Sequence, residues 1–171
     1  FYCFLVYERY VRGEQSYWYP YLDSLPTEFD TPLYYSDAEL CELKGSHLFK
    51  SVCSIKQRLV HIYEHMIRPL TAMNSEVFVK EVFTLENFVW AYSVVWSRVF
   101  PIQFTDRDGV KRVLPTLLPL IDILNHKSGE NVTYYTNEQD HTFALRSSAA
   151  LRAGQQVFNN YGGKSNDSFL L

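Results

Sequence analysis

The apolar residues of this chain change their rhythm near residue 100. Leu48, Val52, Ile55, Leu59, Ile62 and Met66 are spaced 4, 3, 4, 3 and 4, with Lys, Gln, Arg and His between them. That is the pattern of one amphipathic helix packed along a single stripe. Beyond residue 100 the apolar phrases shorten to strand length. "QFT" and "VKRV" flank the segment from Asp106 to Gly109, whose Asp-Gly pair signals a hairpin turn. "NVTYYT" and "TFALRS" flank the polar turn "NEQDH", and "QQVFNN" is a third candidate strand. A helical part (residues 1–100) followed by small antiparallel β elements (residues 101–171) predicts an α+β arrangement.

Local signals place the helix ends. "YPYLDSLP" closes at a proline that ends its turn. Ser36 with Glu39 three residues on has capping-box spacing, and Pro69 should end or kink the long striped helix. "TLENFVWAYSVVWSRVF" opens with Thr84 as cap and Glu86 in the first turn. It then runs apolar through Leu85, Phe88, Val89, Tyr92, Val95, Trp96 and Val99, as a deeply buried helix with Arg98 at its C-terminal end.

Composition excludes several classes of function. Net charge is −3 and no Lys/Arg block exceeds the pair Lys111-Arg112, which argues against a nucleic-acid partner. The most apolar run, "LLPLIDIL", is interrupted by Pro119 and Asp122, far short of the ~20 apolar residues of a membrane helix. Three scattered cysteines, Cys3, Cys41 and Cys53, fit reduced thiols in the cytoplasm or nucleus better than a disulfide framework. The opening "FYCFLVYERYV" is not a signal peptide, and both ends read as cut from a longer chain.

Three motifs carry chemistry-bearing residues. "HIYEH", His61 to His65, matches the H-x-x-E-H zinc-protease pattern. Measured from the Leu48-to-Met66 seam, however, it points toward solvent, so neither a catalytic nor a structural metal is expected. In "LPTLLPLIDILNHKSGENV" two prolines frame an apolar run, taken as buried, that ends in Asp122, Asn125 and His126. Buried polar groups in such a place must find partners or open onto a site. In "QQVFNNYGGKSN" a strand-like run ends at Tyr161, followed by two glycines and a helix start at Ser165 or Asn166. Each motif alone reads equally as ordinary structure.

Taken in order, "SRVF", "LLPLIDILNHKSGENV" and "ALRAGQQVFNNYGGKSNDSFLL" resemble the SET-domain protein methyltransferases, in the class of Rubisco large-subunit lysine methyltransferase and actin-histidine methyltransferase. "FLVYERYVRGEQSYWYPYLDSLP" looks like that family's opening of a helical insertion. The resemblance implies small twisted sheets with a large helical insertion, S-adenosylmethionine as cofactor and a protein substrate, most simply a lysine side chain. It implies that Asn125 and His126 bind the adenosine end of the cofactor, that Arg98 binds its carboxylate end, and that Tyr161 is the catalytic tyrosine. Phe100 would line the substrate channel with Tyr134 or Tyr135, adjacent strand positions between which the sequence does not choose. The family's glycine-rich N-terminal strand and its C-terminal substrate-binding domain have no counterpart in this sequence. A non-catalytic SET-like interaction module and a histidine acceptor are the rival readings.

Overall fold

The computed structural model of the chain describes residues 1–137, 140 and 142–170. These form two compact units: residues 1–99 together with residues 166–170, and residues 100–165.

The first unit is helical. Its elements are α1 (Tyr2–Val6), α2 (Tyr19–Ser24), α3 (Asp37–Glu42), α4 (His47–Ile62), α5 (Arg68–Met73), α6 (Leu85–Arg98) and α7 (Asn166–Leu170), with π-helical turns at Tyr7–Arg12 and Tyr63–Ile67. Its helix starts are chemically specified. Ser36 accepts from the Glu39 N–H while the Glu39 carboxylate accepts from the Ser36 N–H, a complete capping box. Ser46 caps α4 through the Phe49 N–H, and Thr84 caps α6 through the Asn87 N–H. Leu5, Val6, Val52, Leu59, Phe88 and Val94 form the apolar interior, with α1 packed on α6. Arg9 ties three elements together. Its guanidinium lies 4.4 Å from the Trp90 ring centroid and donates to the Leu22 carbonyl, while the Trp90 indole donates to the Pro26 carbonyl.

The long stripe is real but does not run to its expected end. Leu48, Val52 and Leu59 are buried, whereas Met66 is 62% exposed and Ile67 is buried in its place. The cause is the π-helical turn Tyr63–Ile67. An extra residue per turn rotates the succeeding residues by about one position, so the seam passes from the 66 register to the 67 register. Pro69 then sits at the start of α5, where its missing N–H costs nothing. Trp96, expected on a buried stripe, is 56% exposed and donates its indole N–H to the Tyr2 hydroxyl.

The second unit contains two antiparallel hairpins: β1 (Phe100–Thr105) with β2 (Lys111–Thr116), and β3 (Val132–Asn137) with β4 (Thr142–Ser147). The first turns where Asp106 accepts from the Asp108 and Val110 N–H groups and Gly109 takes φ +76°. Arg112 also holds the Asp106 carboxylate at 2.7 Å and keeps it below the usual carboxylate range. The third expected strand, "QQVFNN", does not form. Among the described residues its ladder is reduced to one parallel bridge, His126 with Asn159. The "LLPLIDIL" run is not a buried segment either, because it folds into tight turns after Pro119. Leu120 is 77% and Ile123 53% exposed, and only Asp122 is buried.

The π-turn register gives a direct test. Ile67→Ala should cost about 2 kcal/mol or more, and Met66→Ala about 0.5 kcal/mol or less, by denaturant unfolding. The reverse ranking would mean that the stripe continues without the extra residue.

Candidate functional site

The second unit gathers five of the residues singled out in the sequence. The turn after Pro119 is tight: Leu118 O accepts from the Ile121 and Asp122 N–H groups, and Leu120 takes φ +73°. A leucine in that region stores roughly 1–3 kcal/mol of backbone strain. The chain then delivers Asn125 and His126 to the bridge. The Asn159 N–H donates to Asn125 O at 2.8 Å, and the Lys127 N–H donates to Asn159 O at 2.9 Å. Two residues further on, the Tyr161 N–H donates to His126 Nδ1 at 3.0 Å.

That last bond sets the histidine tautomer. A backbone N–H can only donate, so Nδ1 carries no proton and Nε2 holds it, facing the Ser128 hydroxyl at 3.3 Å. The rings of His126 and Tyr161 stack with centroids 5.1 Å apart and planes 29° apart. The Tyr161 hydroxyl donates to the Leu124 carbonyl at 2.7 Å. Asn160 answers for the turn beyond it. Its amide nitrogen donates to Glu130 O, its oxygen accepts from the Gly162 N–H, and Gly162 turns the chain at φ +83°.

Asn159 is fully buried. Its carboxamide oxygen accepts from the Tyr134 hydroxyl and, at 2.6 Å, from the Asn160 N–H. Its Nδ2 has no hydrogen-bond partner among the described residues. Leaving such a donor unmet costs roughly 1–3 kcal/mol.

Tyr134 and Tyr135 face opposite sides of β3, as neighbours on a strand must. Tyr134 meets the edge of the Phe100 ring at 5.8 Å and the Phe143 ring at 5.9 Å. Burial pushes its hydroxyl above the ordinary phenol value, and Tyr161 lies near enough to add to that shift. Tyr135 instead carries the Arg146 guanidinium at 5.9 Å. Phe143 also borders a cavity of about 540 Å³ between the hairpins, lined by Ile102, Phe104, Leu118 and Thr136.

Arg98 is the last residue of α6, in the first unit, and is half-buried. His61, Glu64 and His65 are exposed. Glu64 is paired with Arg68 at 2.6 Å, and His65 Nδ1 is 2.9 Å from the His61 carbonyl. Among the described residues, no three His, Cys, Asp or Glu side chains gather to hold a metal ion.

No family model matches the chain. The ribosomal lysine N-methyltransferase set10 of Schizosaccharomyces pombe is 33% identical over 162 residues, which are 94% of this chain and 28% of that protein. The human actin-histidine N-methyltransferase is 33% identical over 160 residues, 91% of this chain and 26% of that protein. The solved structure of Rubisco LSMT bound to AdoMet matches with a TM-score of 0.73 at 31% identity, over 99% of this chain and 37% of that one. The SET domain of LSMT bound to lysine and AdoHcy matches with a TM-score of 0.71 at 31% identity, over 98% and 37%. The chain belongs to the SET-domain methyltransferases. It spans about a quarter to a third of the length of the curated relatives it matches.

Within the second unit of this SET-family chain the structure brings together Phe100, Asn125, His126, Tyr134 and Tyr161, and places Tyr135 on the other face of its strand. Sequence reasoning passed over Asn159 and the Leu124 carbonyl. The signal for Asn159 was present in the doubled asparagine before Tyr161, because two adjacent carboxamides at a strand end imply backbone groups that need partners. Nothing in the sequence marked the carbonyl.

His126→Phe keeps a stackable ring but removes the acceptor of the Tyr161 N–H. Hydrogen exchange at that amide should accelerate about tenfold or more. Unchanged protection would show that the Tyr161 backbone is held without His126.

Proposed function

We propose that the protein containing this chain transfers a methyl group from S-adenosylmethionine to a lysine side chain of a protein substrate. The observation that carries this reading is the Tyr161 ring stacked on His126, with its hydroxyl proton committed to Leu124 O so that the hydroxyl oxygen could meet a substrate N–H only as an acceptor. The tyrosine is 38% exposed, so a substrate group can reach it.

The residues fit the cofactor on the chemistry of their donor set. The Asn125 side chain is exposed and makes no hydrogen bond among the described residues, so its carboxamide offers a donor and an acceptor suited to the edge of an adenine. His126, with its tautomer held by Tyr161 and Ser128, presents a fixed edge beside it. Arg98 would hold the carboxylate end with its planar fork, a geometry that lysine does not reproduce. When bound, the cofactor supplies an electrophilic methyl group on a sulfonium.

An ammonium with a pKa near ~10.4 must lose its proton before it attacks, and apolar walls favour the neutral amine. Phe100 and Phe143, packed around Tyr134, provide such walls. The neutral nitrogen then forms its bond to the methyl carbon as the sulfur–carbon bond breaks, and Tyr161 orients it through its oxygen lone pairs. A histidine acceptor needs a polar partner to fix its tautomer, and Phe100 offers none. The residues 1–100 then serve as the helical insertion of the SET fold, and residues 101–171 as its C-terminal core. The three cysteines, none in a disulfide, support a reducing intracellular compartment, and no helix among the described residues is long and apolar enough to cross a membrane.

Asn125→Ala and His126→Ala should each weaken cofactor binding by ~1–3 kcal/mol in calorimetry. Tyr161→Phe should leave cofactor affinity nearly intact and lower turnover, because its interaction strengthens during reaction. Mass spectrometry of cellular proteins treated with full-length enzyme and labelled cofactor should find the label on lysine. Label confined to histidine would overturn the acceptor, and a protein that binds no cofactor and labels nothing would be the non-catalytic module. EDTA should leave turnover unchanged, whereas loss of activity restored by zinc would revive the His61–His65 site.

A further inference from the structure

We infer that Asn159 is a positioning residue for methyl transfer, acting through Tyr134: its buried carboxamide oxygen accepts the hydrogen bond of the Tyr134 hydroxyl and so leaves the Tyr134 oxygen as an acceptor for an N–H of the substrate amine. This rests on the proposed transferase reading.

The orientation of the Asn159 carboxamide is chemically determined. The same side-chain atom meets the Asn160 N–H and the Tyr134 hydroxyl. The amide N–H of Asn160 can only donate, so that atom is oxygen, and the amide cannot be turned over without opposing two donors. With oxygen there, the Tyr134 hydroxyl is the donor in the pair. The orphaned Nδ2 results from the same choice: the side chain accepts one unmet buried donor in order to point its oxygen at two.

The consequence concerns Tyr134 and Tyr161 together. The Tyr161 proton is committed to Leu124 O, and the Tyr134 proton to Asn159. Two tyrosines near enough to interact electrostatically therefore both present lone pairs and withhold protons. A neutral primary amine has two N–H groups to meet them and keeps its own lone pair for the methyl carbon. A Tyr134 hydroxyl free to rotate would spend part of its time donating to that lone pair and blocking attack. Asn159 can hold this setting rigidly because it is fully buried and its backbone is pinned on both sides, to Asn125 O and to the Lys127 N–H.

The experiment is a double-mutant cycle in the full-length protein, with steady-state turnover of the protein substrate found by labelling and calorimetry of S-adenosylmethionine. Asn159→Leu and Tyr134→Phe should each lower kcat by about tenfold or more, and the double variant should be no slower than the slower single variant. Cofactor affinity should stay within about twofold of wild type in all three, since the backbone bridge to Asn125 is kept. Asn159→Asp retains the accepting oxygen and replaces the unpartnered nitrogen with a second carboxylate oxygen, which strengthens the acceptor for the Tyr134 hydroxyl. It should keep a kcat above that of Asn159→Leu, and it carries the comparison if the leucine variant fails to fold. Multiplicative losses in the double variant, or equal losses in Asn159→Asp and Asn159→Leu, would overturn the role of Asn159 and leave the transferase reading standing. A wild-type protein that labels neither lysine nor histidine would overturn both.

Discussion

A single parallel bridge, Asn159 against the Asn125–Lys127 turn, holds the site of the second unit together. Its two backbone hydrogen bonds join segments that neither hairpin connects. The net worth of each is modest, about 0.5–1.5 kcal/mol. Their effect is geometric. Once Asn159 is fixed, Tyr161 arrives two residues later with its N–H on the His126 ring and its own ring stacked upon it. The side chain of Asn160 reaches back to the Glu130 carbonyl and forward to the Gly162 N–H, so one side chain reinforces the bridge in both directions.

The same bridge organises where protons lie. His126 Nδ1, Leu124 O and Asn159 Oδ1 are each an acceptor filled by a donor from a tyrosine, one backbone amide and two hydroxyls. Every one of those protons points into the protein. The hydroxyl protons of Tyr134 and Tyr161 are thereby committed, which is the electrostatic condition that the proposed orientation of an amine would need.

The first unit solves a different problem, that of presenting long helices with correct ends. Caps at Ser36, Ser46 and Thr84 satisfy orphan N–H groups, and the Arg9–Trp90 contact ties the opening helical segment to α6. The helix so fixed ends at Arg98, two residues before Phe100. The π-turn at Tyr63–Ile67 shows how packing corrects a pattern. An intact 3.6-residue period would have buried Met66, and the inserted residue turns Ile67 to the core.

What the sequence determined by itself was local. The capping box at Ser36 and Glu39, the Thr84 cap, the Asp106–Gly109 turn and the two hairpins all depend on groups within a few residues of one another, so composition and spacing specify them. The motif residues Asn125, His126 and Tyr161 stood out only through the order of three motifs that resembles the SET family, because each motif alone reads as ordinary structure. The tertiary structure alone decided which groups partner them. That "QQVFNN" contributes one bridging residue instead of a strand depends on a partner turn over thirty residues away. Tyr134 was chosen over Tyr135 by the face of β3 that meets Phe100, Phe143 and Asn159, and a strand pattern with aromatics on both faces carries no mark of which face that is. The buried carboxamide of Asn159 acquires its orientation only when a tyrosine from one strand and an amide from the next residue converge on one oxygen. That convergence is a property of three-dimensional contact, and no spacing along the chain encodes it.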